Sequence, residues 1–255
     1  MSPYRVDGRR HDELRPVSLE RGVNRYAEGS AIIRWGNTVV HCTASVEDKV
    51  PSFRRGLGAG WLTAEYSMLP RATHDRSPRD VQRGRMSGRS SEIQRLIGRS
   101  MRAAVDLTLI GERTILIDCD VLQADGGTRT ASITCAFVCL VDALRAIFSV
   151  NQSRALPLTS QVAAVSVGKV GGAPMLDLCY EEDSHADVDC NVVMTGLGDF
   201  VEFQGTGEGG FFSRTELDDM LRLASIGMSS LFSLQRNSLE LSPQESILFD
   251  ELCAK

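Results

Sequence analysis

Along several short stretches of this chain apolar and polar residues alternate, the period of a strand with one buried face. GSAIIRWGNTVVHCTASV (29–46) holds two such runs joined at Gly36-Asn37, a hairpin signal, and GWLTAEYSML (60–69) supplies a third strand. In RTILIDCDVLQ (113–123), Ile115, Ile117, Cys119 and Val121 oppose Asp118 and Asp120, so this too predicts a strand. Elsewhere the period lengthens. Ile93, Leu96, Ile97, Met101, Ala104 and Val105 recur at helical spacing behind Ser90-Ser91, a plausible cap. A second helix is predicted from about Thr130 to Phe148, a third from about Thr215 to Gln235, and a short one after Pro243. QVAAVSVGKV and APMLDLCY predict strands around Gly171-Gly172, and CNVVMT and FVEFQG predict two more. NQSRALPLTS (151–160) reads as a connecting loop.

The order is strand-rich with paired helices, which predicts an α+β fold of two similar halves, about 1–160 and 161–255, with no linker between them. A weak internal echo supports duplication. LQADGGTRTAS and FQGTGEGGFFSRTEL both run from a strand through Gln and a Gly-rich loop to Arg-Thr and a helix.

Composition narrows the class. The chain has 255 residues, 42% of them hydrophobic and 24% charged, an ordinary balance for a globular protein with a sizeable core. No apolar run approaches eighteen residues, so no membrane span is expected. The N-terminal segment is polar and basic, unlike a signal peptide. The seven cysteines form an odd set with no CxxC pair, so reduced thiols, a cytoplasmic location and no zinc site are expected. Net charge is −5, which by itself argues against nucleic acid. The stretch from Arg71 to Arg102, however, is dense in arginine and lacks lysine altogether, and phosphate recognition requires only a local basic surface. Residues 70–89 of it have no apolar period and read as a long basic loop.

QADGGTRTASI (123–133) is the most informative stretch. A Gly-Gly step before a helix leaves backbone N–H groups unpaired at one point, where glycine lets a ligand approach closely. The helix start adds partial positive charge. Thr128 can donate a hydroxyl, Arg129 can fork onto two phosphate oxygens, and Asp125 fits a cap. The GK[ST] pattern of a nucleotide loop is absent, so a small anion such as free phosphate suits the place. Downstream, Asp177, Glu181, Glu182, Asp183, Asp187 and Asp189 fall within thirteen positions. Asp177 is read in a strand and the others in the connection that follows. Such carboxylates either hold a hard cation, Mg2+ or Mn2+, or include one whose raised pKa suits a general acid. A tight turn, a solvated basic face or an acidic surface loop would account for each feature alone. Together they point to phosphoryl chemistry on a polyanion.

The ordered set RVDGRRHDELRP, AEGSAIIRWGNTVVHCTASVEDKVP, GWLTAEYSMLPRATHDRSPRDVQRG, SGRSSEIQRLIGRSMRAAVD, DCDVLQADGGTRTASIT, QVAAVSVG, EEDSHADVDCNVVMTG and VEFQGTGEG resembles the ribonuclease PH family across nearly the whole chain. More distantly it is similar to polynucleotide phosphorylase and the exosome ring. The resemblance implies two βαβα-type halves of the ribosomal protein S5 domain 2-like class, assembled as a hexameric ring (a trimer of dimers). It implies a phosphorolytic 3′–5′ exoribonuclease acting on tRNA precursors, with inorganic phosphate as co-substrate and nucleoside diphosphates as products. Carried over by motif, Arg89, Gly127, Thr128 and Arg129 would bind phosphate. Asp183 and Asp189 would be the catalytic pair, holding Mg2+ (or Mn2+) or acting as acid. Arg71, Arg76 and Arg79 would contact RNA. Asp177 and Asp183 are also six apart, so flanking residues, not spacing, make that choice. Departures are small: Cys179 stands where relatives often carry an acid, and residues 153–158 look inserted. Two alternatives are a non-catalytic RNA-binding ring subunit and a metal-dependent hydrolytic nuclease.

Overall fold

The computed structural model describes residues 5–79, 82, 84, 86–148 and 156–253. Residues 151–155 of the expected connection, part of the insertion read at 153–158, and four positions of the basic loop lie outside the described residues.

Strands β1 (Val17–Arg21), β2 (Gly29–Trp35), β3 (Thr38–Glu47), β4 (Trp61–Met68) and β5 (Thr114–Gln123) form one sheet in the order β1-β2-β3-β5-β4. β2 and β3 make the expected hairpin, with Trp35 opposite Thr38 across Gly36-Asn37. Only β4 and β5 run parallel, and the helix between them, α1 (Gly88–Arg102), is the crossover. The second sheet is antiparallel throughout, in the order β7-β6-β8-β9, from β6 (Val162–Val170), β7 (Ala173–Leu176), β8 (Val188–Thr195) and β9 (Phe200–Thr206). Between β7 and β8 there is a single helical turn, α3 (Tyr180–Asp183).

Helix α2 (Thr128–Phe148) lies between the two sheets, touching β2, β3 and β5 on one side and β6 and β8 on the other. This position explains its sequence. A helix covered all round must be apolar all round, and fifteen of its residues are buried. By length and composition α2 is also apolar enough to cross a membrane, which corrects the expectation that no stretch is. The share of it packed inside the protein, 72% of its most apolar window, makes it the central core helix. Helix α4 (Arg214–Leu239) covers β6, β7 and β8 and touches β1, and α5 (Pro243–Glu251) follows it. One continuous core of buried residues runs through both sheets.

Several boundaries differ from the sequence reading. α1 begins at Gly88, earlier than expected, because Ser87 is its cap and accepts the Ser90 amide. α2 begins at Thr128, directly after the glycines. Strand β1 and the turn α3 were not foreseen, both being too short to show a period. Asp177 is not in a strand: it follows β7 in the left-handed region at φ 55°. Asp189 is not in the connection but within β8. The seven cysteines are all free, and all but Cys253 are buried.

Candidate active site

Four elements converge on one cavity of about 210 Å³. It is lined by Arg89 from the first turn of α1, Gly127, Thr128 and Arg129 from the start of α2, and Asp183 and Asp189 from α3 and β8; Ser166, Ser184, Asn191 and Glu208 complete the wall. All six residues expected to bind phosphate or do chemistry therefore face the same space, although they span 101 positions of sequence from Arg89 to Asp189.

The anion side is built by the glycine turn. Gly126 and Gly127 take φ values of 74° and 65°, a region that side chains disfavour. A Cβ on Gly126 would lie 2.5 Å from the Leu178 carbonyl oxygen, so the turn packs directly against the segment leading to α3. The first amides of α2 have no partner within the helix and give the cavity its donors. Thr128 Oγ1 is 2.8 Å from the Tyr66 hydroxyl, which fixes its rotamer. Arg129 Nη1 donates to Glu92 Oε1 at 3.1 Å and to Gln204 Oε1 at 2.8 Å, so the guanidinium is held between α1 and β9, its other N–H groups making no side-chain bond among the described residues. Arg89 is exposed at the rim. Asp125 does not cap α2. Its carboxylate accepts the Tyr180 amide at 3.1 Å and so secures the start of α3, the element that carries Asp183.

The acidic cluster divides into two kinds of carboxylate. Asp177 and Glu182 are buried and neutralised from the N-terminal segment. Asp177 accepts from the Arg15 amide at 2.7 Å, from Arg15 Nη2 at 2.6 Å and Nε at 3.0 Å, from Arg9 Nη1 at 3.3 Å and from Trp35 Nε1 at 2.9 Å. Glu182 takes a two-pronged bond from Arg5, through Nε at 2.7 Å and through Nη2. Burial opposes its ionisation, yet Arg5 holds the carboxyl below its usual range. Arg15 also donates to the Asp125 and Gly126 carbonyls, tying the glycine turn to this network.

Asp183 and Asp189 are the other kind. Neither forms an ion pair among the described residues, and both face the cavity. Burial raises Asp183, with Arg89 opposing and Glu208 adding to the rise. Burial and the neighbouring Asp183 charge push Asp189 up to about 6. Among the described residues its one side-chain hydrogen bond comes from Asn191 Nδ2, at 3.3 Å. Of the pairs Asp177–Asp183 and Asp183–Asp189, equal in spacing, the first includes a carboxylate ion-paired to Arg15 and Arg9, and the second has no such pair among the described residues.

Arg71, Arg76 and Arg79 are exposed on the loop before α1 and do not line this cavity. A second cavity, of about 290 Å³, shares Arg89 with the first and is also lined by Tyr66 and Met68 and by Thr73, Ser77 and Pro78 of that loop. Sequence reasoning missed Ser166, Ser184, Asn191 and Glu208. Asn191 was findable, two positions after Asp189 on the same strand face. Ser166 was too, as the lone hydroxyl in the apolar run VAAVSVG.

A donor-rich helix start facing two carboxylates with no ion pair among the described residues suits phosphoryl transfer. The family models for the 3′ exoribonuclease family match this chain, domain 1 over residues 13–145 and domain 2 over 160–227. Ribonuclease PH of Solibacter usitatus (strain Ellin6076) is 57% identical over 236 residues, covering 92% of this chain and 99% of that protein. The chain belongs to the ribonuclease PH family of 3′ exoribonucleases. Solved structures agree on the fold. Rice (Oryza sativa) Rrp46 has a TM-score of 0.74 at 19% identity, covering 92% of this chain and 100% of that one. The Archaeoglobus fulgidus exosome with RNA bound to the active site has a TM-score of 0.72 at 24% identity, covering 88% and 89%.

Proposed function

We propose that this chain shortens RNA, tRNA precursors in particular, from the 3′ end by phosphorolysis. The observation that carries the reading is the single cavity in which the glycine turn and two arginines face Asp183 and Asp189. Phosphate sits at Gly127, Thr128 and Arg129, with Arg89 closing the rim. One of its oxygens attacks the terminal phosphorus, the bond from that phosphorus to the preceding 3′ oxygen breaks, and the freed oxygen takes a proton. The products are a nucleoside diphosphate and an RNA one nucleotide shorter. The work of the protein here is positional and electrostatic, so no covalent nucleophile is needed.

The two carboxylates fit a divalent cation. They are hard oxygen donors, adjacent and mutually repelling, with no cationic side chain bonded to them among the described residues. Asp183 and Asp189 would hold Mg2+ or Mn2+, which when bound neutralises charge on phosphorus oxygens. A second reading is supported by the Asp189 carboxyl at about 6: it can hold a proton for the departing 3′ oxygen. Arg71, Arg76 and Arg79 would track the RNA backbone toward the cavity. The assembly we propose is a homohexameric ring in the cytoplasm.

Incubation with Mg2+ and a short RNA, with and without phosphate, tests the reaction. Nucleoside diphosphates that form only with phosphate are expected. Monophosphates formed equally in both arms would show a hydrolytic nuclease, and intact RNA in both would show a binding subunit. Asp189→Asn is expected to lower kcat by ~10²-fold or more.

A further inference from the structure

Ser166, on β6, is 4% exposed, and its hydroxyl is buried with no hydrogen-bond partner among the described residues. Leaving a buried hydroxyl unpaired is unfavourable, so such groups in native structures point to something that completes them. Ser166 lines the cavity just described. It also lies across from the glycine turn, since a Cβ placed on Gly127 would come within 3.8 Å of its Oγ. The same Cβ would come within 3.2 Å of Arg15 Nη2 and 3.3 Å of Thr130 Oγ1, so only a bare glycine lets the turn approach this hydroxyl so closely. In the strand register Ser166 stands opposite Asn191, and Asp189 lies two residues along β8 on the same face. The hydroxyl therefore stands between the anion turn of the first half and the carboxylates of the second.

We infer that Ser166 is a further ligand of inorganic phosphate, its Oγ–H donating to an oxygen of the anion held at Gly127–Arg129. The inference rests on the cavity being the phosphate site. It adds a donor from the second sheet to a site otherwise made by α1 and α2, so that bound phosphate bridges the two halves. Phosphate offers acceptor oxygens on all sides, which is the chemistry an orphaned donor requires. The terminal phosphodiester of RNA carries similar oxygens, and the two sources separate by kinetics.

The test is Ser166→Ala, measured beside wild type and Arg129→Ala. The phosphate KM of Ser166→Ala at saturating RNA should rise roughly 10-fold or more, the effect of one hydrogen bond to a charged group. Its kcat at saturating phosphate and its KM for RNA should stay within about 3-fold, a split that loss of packing does not produce. In the absence of RNA, the gain in Tm on adding phosphate should shrink in the variant, while the phosphate-free Tm should not fall, because no bond has been removed. An unchanged phosphate KM in Ser166→Ala alongside a raised one in Arg129→Ala would overturn the inference alone. A raised RNA KM with phosphate KM unchanged would assign the hydroxyl to the substrate strand and overturn it equally. If Arg129→Ala also left phosphate KM unchanged, the reading of the cavity itself would fall.

Discussion

At the scale of single residues, the six acids of 177–189 show how alike side chains acquire different tasks from their surroundings. Asp177 and Glu182 answer buried arginines, and the charge they carry is already spent on structure. Asp183 and Asp189, two of the half-buried ones, have no such partner among the described residues and line the cavity. Removing a member of the first kind should damage the fold. Asp177→Ala takes from buried Arg15 its principal carboxylate partner and from Arg9 one of its partners, and breaking a buried pair costs about 3–5 kcal/mol. Chemical denaturation should show that loss, together with weakened phosphate binding, because Arg15 also grips the glycine turn. An activity loss with full stability would contradict this division of labour.

At the scale of elements, the catalytic geometry depends on how the α2 start meets the α3 turn. Gly126→Ala would force a Cβ against the Leu178 carbonyl at 2.5 Å in a left-handed backbone region. We expect at least 1–3 kcal/mol of destabilisation and a large fall in kcat/KM, read by thermal melting and by phosphorolysis. Further from the site, α5 is fastened to α2 through Glu245, which pairs with Arg145 at 2.7 Å and caps its own helix through the Ser242 amide. Burial works against that carboxylate, but Arg145 and the amide prevail and hold it at about 2. The folded-state value lies below the unfolded one, so the stabilisation is complete above about 4.5 and disappears as pH falls toward about 2. Wild type and Glu245→Gln should thus differ in stability at neutral pH and converge across that acid window; a gap independent of pH would exclude this linkage. These elements were also the places where the sequence was least legible. A four-residue helix and a five-residue strand carry too few positions to show a period, and the cap of α1 was misplaced by three residues because three serines compete for it.

For the whole molecule, one core joins two sheets through α2, so the halves should unfold together in one transition. Large apolar side chains remain outside that core: Phe211 is 96% exposed and Tyr26 is 82% exposed. Aromatic side chains are enriched at protein–protein interfaces, so these two are candidate contacts of the ring we propose. Light scattering at micromolar concentration should give a mass near about six chains. A mass of one chain would remove the ring from the proposal.

Much of this protein follows from sequence alone. The periods 2 and 3.6 reach only as far as neighbouring residues, and they were enough to place both sheets' main strands, the long helices and the α+β class. The Gly-Gly-Thr-Arg turn was legible too, because glycines before a helix have one physical consequence wherever they occur. What only the tertiary structure decided was pairing over distance. It set which carboxylates are silenced by Arg5, Arg9 and Arg15, brought Asp125 to α3 instead of α2, and left the Ser166 hydroxyl facing the anion turn. Charge, burial and donor balance depend on contacts made between residues far apart in sequence, 177 positions for Arg5 and Glu182 and 55 for Asp125 and Tyr180, and no local pattern encodes those.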